Sequence, residues 1–178
     1  MIDLFIIILL AIGFIMGAKR GVIVQGMHVA SMVISIIVAL IFYKSLAEKF
    51  VFWVPYPSIE STTKTALDLS EIDIDGTFYQ IFAFALLYFT VKLIVKLIIT
   101  FFDHYAYLPA FESTNRIVGG LLGLVEYYMT IFIVLYLLAL LPFEFLVARM
   151  QNSILGKLIV EYTPGLTQLM QKWWYVYS

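Results

Sequence analysis

Polar and apolar positions along this chain separate on the scale of whole segments rather than of helix faces. Four stretches are apolar almost throughout: Leu4 to Gly17, Val22 to Tyr43, Phe78 to Phe102 and Ile117 to Leu141. A helix needs roughly 20 mostly apolar residues to cross a bilayer. Three stretches meet that directly, and the first meets it when counted from its start with Asp3 at the surface. The pattern predicts spans over about 2–18, 22–43, 78–102 and 117–141, a loop over 44–77 and a tail over 144–178. One apolar run alone would equally describe a buried core helix, but four in one chain point to an all-α integral membrane protein. Residues 1–143 would form its four-helix transmembrane domain.

The first run could be a secretory signal, but its charges are placed wrongly for one. Such a signal carries Lys or Arg before the apolar region and small residues at a cleavage site after it. Here Asp3 comes before, and Lys19 and Arg20 come after. We therefore expect a retained helix, joined to the second by the tight turn "GAKRG".

Composition removes whole classes of function. The chain has 178 residues, 63% hydrophobic and 13% charged. Soluble domains run nearer 45–50% apolar and about 25% charged, so polar side chains are too few here to coat a soluble particle. A net charge of −1, with no basic run among aromatics, leaves no electrostatic case for nucleic acid. Cysteine is absent, which removes disulfides, thiolate metal sites and a thiol nucleophile. His28 has only His104 to help it, too few ligands for a metal. No HExxH or Ser-His-Asp arrangement appears, and Ser31 and Ser35 sit where they can bond their own helix backbone. We expect no enzyme, no metal and no cofactor.

Charge placement sets an expected orientation. Lys and Arg favour the cytoplasmic side of short loops, and Lys19 and Arg20 occupy the tightest turn. Lys92 and Lys96 lie one turn apart in the last third of the third span, and lysines snorkel to the nearer interface. Both features predict cytoplasmic short turns and extracytoplasmic termini, with the acidic 44–77 loop outside.

"STNRIVGGLLGLVEYY", residues 113–128, has glycines but neither the Lys-Ser/Thr of a P-loop nor GxGxxG spacing. Gly119 and Gly123 are four apart, a spacing that lets another helix approach closely. Gly13, Gly17 and Gly21 repeat that spacing in the first helix and offer it a partner.

Together these residues resemble the colicin V production protein (CvpA) family of bacterial inner-membrane proteins, over most of the chain. The resemblance rests on "KRGVIVQGMHVAS", where Lys19, Arg20, Gly21 and Gln25 match a family motif. It rests also on "NRIVGGLLGL", where Asn115, Arg116, Gly119 and Gly123 match a second, and on the ending "NSILGKLIVEYTPGL", with Ser153, Thr163 and Pro164 in place. Glu126 departs from the pattern, since many members carry a basic residue after the second motif. The resemblance implies a role in toxin (bacteriocin) production or export and in envelope homeostasis.

The polar residues inside the spans are what a membrane tolerates least. At about 1.5 Å per residue, His28 lies roughly 10 Å below the nearer surface, and Lys92 and Glu126 each roughly 14 Å. A charge at that depth costs at least a few kcal/mol unless paired or wetted. Equal depth on neighbouring spans makes Lys92 and Glu126 natural partners. A structural salt bridge and a polar or proton path both account for the pair.

In the tail, Thr163-Pro164 reads as an N-cap followed by proline at the first helical position. Behind it Trp173, Trp174 and Tyr177 share one side of an amphipathic helix. Such a helix either lies flat with these aromatics at headgroup level or packs on the extracytoplasmic ends of the bundle or on a second subunit. Two functions follow from the whole pattern. One is a non-enzymatic accessory that acts through membrane or envelope partners. The other is an oligomeric channel or transporter component lined by His28, Lys92 and Glu126. Either requires the lipid bilayer, and the expected partners are further copies of the chain, in a homo-oligomer, or other membrane or envelope proteins.

Overall fold

The computed structural model describes residues 2–53, 73–103, 113–141, 143–163 and 165–174. It is all-α, and no strand occurs among the described residues. The elements are α1 (Ile2–Trp53), α2 (Ile74–Asp103), α3 (Ser113–Leu140), α4 (Glu144–Gln151), α5 (Ile154–Tyr162) and α6 (Leu166–Trp174). Three of them, α1, α2 and α3, are long and apolar enough to cross a membrane. Their outward side chains agree with that: Phe5 is 64% exposed, Ile41 65% and Leu97 63%. An aqueous protein rarely presents apolar surface so continuously.

The two apolar runs at the start of the chain sit in one element because a single non-helical residue, Gly21, interrupts the helix between them. α1 has 52 residues, which at about 1.5 Å each is more than twice the roughly 30 Å of a hydrocarbon core. It is broken at Gly21, where φ is 76° and ψ 175°. Only glycine takes that conformation without a steric penalty. The residues on either side show that the chain reverses there. Before the break, Gly17 lies against Gly119 and Gly13 against Gly123, so earlier residues meet later ones of α3. After it, Val22 bonds to Asn115 and Gln25 to Glu126, so the order runs the other way. α1 is thus two antiparallel arms, 2–20 and 22–53. The turn is shorter than the expected "GAKRG", since Ala18, Lys19 and Arg20 remain helical.

Helix ends differ from the ends of the apolar runs. The second arm continues past Tyr43 to Trp53 through Lys44 and Lys49, and α2 begins at Ile74. Backbone hydrogen bonding can extend a helix into water, so an apolar run marks where hydrocarbon can lie rather than where the helix stops. Of the expected 44–77 loop, residues 54–72 lie outside the described residues.

Contacts divide the chain into two compact units: Met1–Ile6, Phe42–Ala85 and Phe132–Ser178 in one, Ile7–Ile41 and Leu86–Ile131 in the other. The second holds the Gly21 break and the intramembrane charges. The first has an aromatic core, with Phe78 stacked on Phe82 at 5.7 Å and Tyr43 edge-on to Phe84 at 6.4 Å. Its tail helices are held by specific polar contacts. One Asp3 carboxylate oxygen accepts from the Ser153 hydroxyl at 2.7 Å and from the Leu155 N–H at 2.8 Å. Ser153 also caps α5, accepting from the Gly156 N–H at 2.9 Å.

Thr163 stands between α5 and α6 and bonds to both. Its hydroxyl donates back to the Ile159 carbonyl, and its own carbonyl accepts from the Thr167 N–H at 3.2 Å. α6 begins at Leu166, after Gly165 at φ 81°. Pro164 lies outside the described residues. One carbonyl at the end of α6 is met from the second arm of α1, where the Tyr43 hydroxyl donates to the Trp173 carbonyl at 2.7 Å. α6 is thereby docked on a helix of its own unit. Trp173 is half-buried, while the Trp174 side chain and Tyr177 lie outside the described residues.

Candidate functional site

Glycine lets the two helices at the break touch through their backbones. A methyl group added at Gly17 would overlap the Gly119 carbonyl oxygen and come within 2.9 Å of the Gly123 Cα. One added at Gly119 would lie 2.6 Å from the Gly17 carbonyl oxygen and 3.0 Å from the Gly21 Cα. Residues four apart share a helix face, so Gly13, Gly17 and Gly21 form a flat seam opposite Gly119 and Gly123. The close approach puts side chains on either side of the seam within reach of one another.

Asn115 uses that proximity first. Its side-chain oxygen accepts the Val22 N–H at 2.7 Å, satisfying one of the donors that a helix start leaves open. Arg20, just before the break, donates from Nη1 to Gln25 Oε1 at 3.2 Å. Gln25 is fully buried and donates from Nε2 to Glu126 Oε2 at 2.7 Å. The other carboxylate oxygen, Oε1, stands 3.1 Å from Lys92 Nζ. Lys92 further donates to Thr130 Oγ1 at 2.8 Å and to the Tyr88 hydroxyl at 3.2 Å. Thr130 donates to the Glu126 carbonyl at 2.9 Å. A chain of polar groups thus runs from Arg20 through Gln25 and Glu126 to Lys92, and both Glu126 oxygens are engaged.

Such a network can hold helices in register, because each broken link leaves a buried charge or amide unpaired. It borders a cavity of about 300 Å³ whose polar lining includes Arg20, His28, Lys92, Lys96, Glu126 and Thr130. His28 is buried, and its carbonyl accepts from Ser31 at 2.7 Å. Ser35 likewise bonds back to the Ser31 carbonyl at 2.7 Å, so both serines are turned onto their own helix. Lys19 and Arg116 are exposed and do not join the network.

Tyr88 and Thr130 belong to the site but are not marked by residue type, since tyrosine and threonine are ordinary in membrane helices. The available signal is spacing: Tyr88 is four residues before Lys92, and Thr130 four after Glu126, each on its partner's helix face. Gln25 and Asn115 stand out as motif residues, yet nothing local tells which groups they bond.

The sequence model of the family described as colicin V production protein matches residues 2–164. A curated Bacillus subtilis (strain 168) protein, described as uncharacterized transmembrane protein YshB, is 33% identical over 178 residues, spanning 100% of this chain and 99% of its own length. No solved structure matches.

Proposed function

Because the chain belongs to the colicin V production protein family, we propose that it is a non-enzymatic, multi-pass component of the bacterial inner membrane. It acts through protein partners in toxin production or export and in envelope maintenance. The observation that carries this is the closed network at Glu126, whose two oxygens answer Lys92 and Gln25 from separate helical segments. Groups bonded in this way hold a scaffold together and leave its outer faces for partners. The decisive experiment is a double exchange, Lys92→Glu with Glu126→Lys, in a strain lacking the native protein. Folding and complementation should return together. A doubly exchanged protein that folds yet fails to complement would sink the scaffold reading.

We propose four crossings, a reading supported by the two arms of α1 together with α2 and α3, with both termini outside the cytoplasm. The chain has no cysteine, so single cysteines at Ser178, Ser58 and Ser113 can be labelled in intact cells with a membrane-impermeant thiol reagent. Ser178 and Ser58 should label and Ser113 should not; the reverse pattern inverts the topology. A second reading, an oligomeric channel or transporter component, draws on the cavity beside His28, Lys92 and Glu126. It requires ion or proton flux in proteoliposomes that Glu126→Gln abolishes without unfolding the protein, and a homo-oligomer by mass measurement of the intact assembly.

A further inference from the structure

The cavity in the unit around Gly21 carries more positive charge than the network can answer. Its lining presents three cations, Arg20, Lys92 and Lys96, against one carboxylate, Glu126. Glu126 is fully used by Lys92 and Gln25. Arg20 donates to a neutral amide oxygen at 3.2 Å. Among the described residues neither Arg20 nor Lys96 has a carboxylate within salt-bridge distance. Among the described residues, two cations without a carboxylate partner therefore border one cavity.

The size and chemistry of the space narrow what would answer them. About 300 Å³ is at the lower end of small-ligand sites and roughly ten times the volume of one water. A guanidinium presents a fork of N–H donors matched to two oxygens of an oxyanion, and an ammonium adds a point charge. Phe89 and Leu93 complete an apolar part of the wall, which suits a ligand with a carbon portion beside its charge. Lys96 lies about 10 Å, at 1.5 Å per residue, before the end of α2 at Asp103, within reach of the headgroup layer.

We propose that this cavity binds a phosphate group through Arg20 and Lys96. The phosphate is supplied either by an anionic lipid headgroup or by a soluble phosphate. Occupancy requires neither partner binding nor conduction, and although the channel reading draws on the same cavity, binding is read here without any measurement of flux.

The test uses the full-length protein in two arms. In the first, inorganic phosphate is titrated into detergent-solubilised protein while the thermal midpoint is followed. In the second, the protein is placed in nanodiscs of phosphatidylglycerol and phosphatidylcholine, and retained lipid is counted by native mass spectrometry. Lys96→Gln removes the exposed cation, Arg20→Gln the half-buried one, and Lys157→Gln, an exposed lysine of α5, controls for net charge. Binding in either arm should weaken about tenfold, equivalent to about 1.4 kcal/mol, in the Lys96 variant and remain unchanged in the Lys157 variant. A phosphate response assigns a soluble ligand, and selective retention of phosphatidylglycerol alone assigns a lipid. No binding in either arm overturns the proposal, as does equal weakening by Lys157→Gln. Should Arg20→Gln fail to fold, the Lys96 and Lys157 pair decides alone.

Discussion

The side-chain oxygen of Asn115 accepts the backbone N–H of Val22 at 2.7 Å, across 93 positions of sequence. A residue at the start of α3 thereby caps the second arm of α1, immediately after the Gly21 break. Ordinary caps come from the same segment as the helix they serve. Here the chain reverses on one residue, which leaves no room for a local cap, and a neighbouring helix supplies it.

Asn115→Ala should lower stability by about 1 kcal/mol, in the range for lost caps. Asn115→Asp keeps the acceptor oxygen and should retain most of that stability. Thermal unfolding in detergent separates the two variants. Equal midpoints for Ala and Asp would show that the oxygen contributes nothing.

At the glycine seam, a new methyl group at Gly17 meets backbone rather than a movable side chain. Gly17→Ala should therefore cost about 1–3 kcal/mol, typical of overpacking. At Gly120 the nearest atoms belong to the Phe14 ring, which can turn aside, so Gly120→Ala should be milder. Gly26 has nothing within 4 Å, and Gly26→Ala should be neutral or stabilising by up to about 1 kcal/mol through helix propensity. The order Gly26, Gly120, Gly17 in increasing damage is the expected result. A Gly17→Ala variant as stable as the parent would remove the seam from the account.

Glu126→Gln leaves the half-buried Lys92 without its counter-ion. The cost should approach that of a broken buried pair, about 3–5 kcal/mol, without reaching its upper end. Lys92→Met should be similarly harmful through the orphaned carboxylate. The double variant leaves no orphan charge and should be more stable than either single one. Unfolding midpoints of the four proteins form the cycle, and simple additivity would mean the two residues do not act on each other.

Asp3 and Ser153 can be tested by hydrogen exchange, since the Leu155 and Gly156 amides depend on them separately. The Leu155 N–H bonds to Asp3 and the Gly156 N–H to Ser153. Asp3→Ala should speed exchange at Leu155 more than at Gly156, and Ser153→Ala should speed both. Unchanged exchange at Leu155 in the Asp3 variant would show that the clamp does not hold α5.

The sequence by itself determined that this is a helical membrane protein, because bilayer thickness converts length and apolarity directly into spans. It singled out His28, Lys92 and Glu126 for the same reason, since hydrocarbon makes each such residue costly wherever it points. It also placed the glycines on shared faces, because residues four apart align on any helix. All of these follow from local periodicity and solvent, and need no partner. Tertiary structure decided the partners. Gln25 reaches Glu126 across 101 positions, and Ser153 reaches Asp3 across 150. Each residue along a helix turns the side chain by about 100°, so modest rotation of either helix about its axis would exchange one neighbour for another. That rotation is set jointly by the glycine seam, the reversal at Gly21 and the packing of three long helices, and no segment of the chain carries it alone.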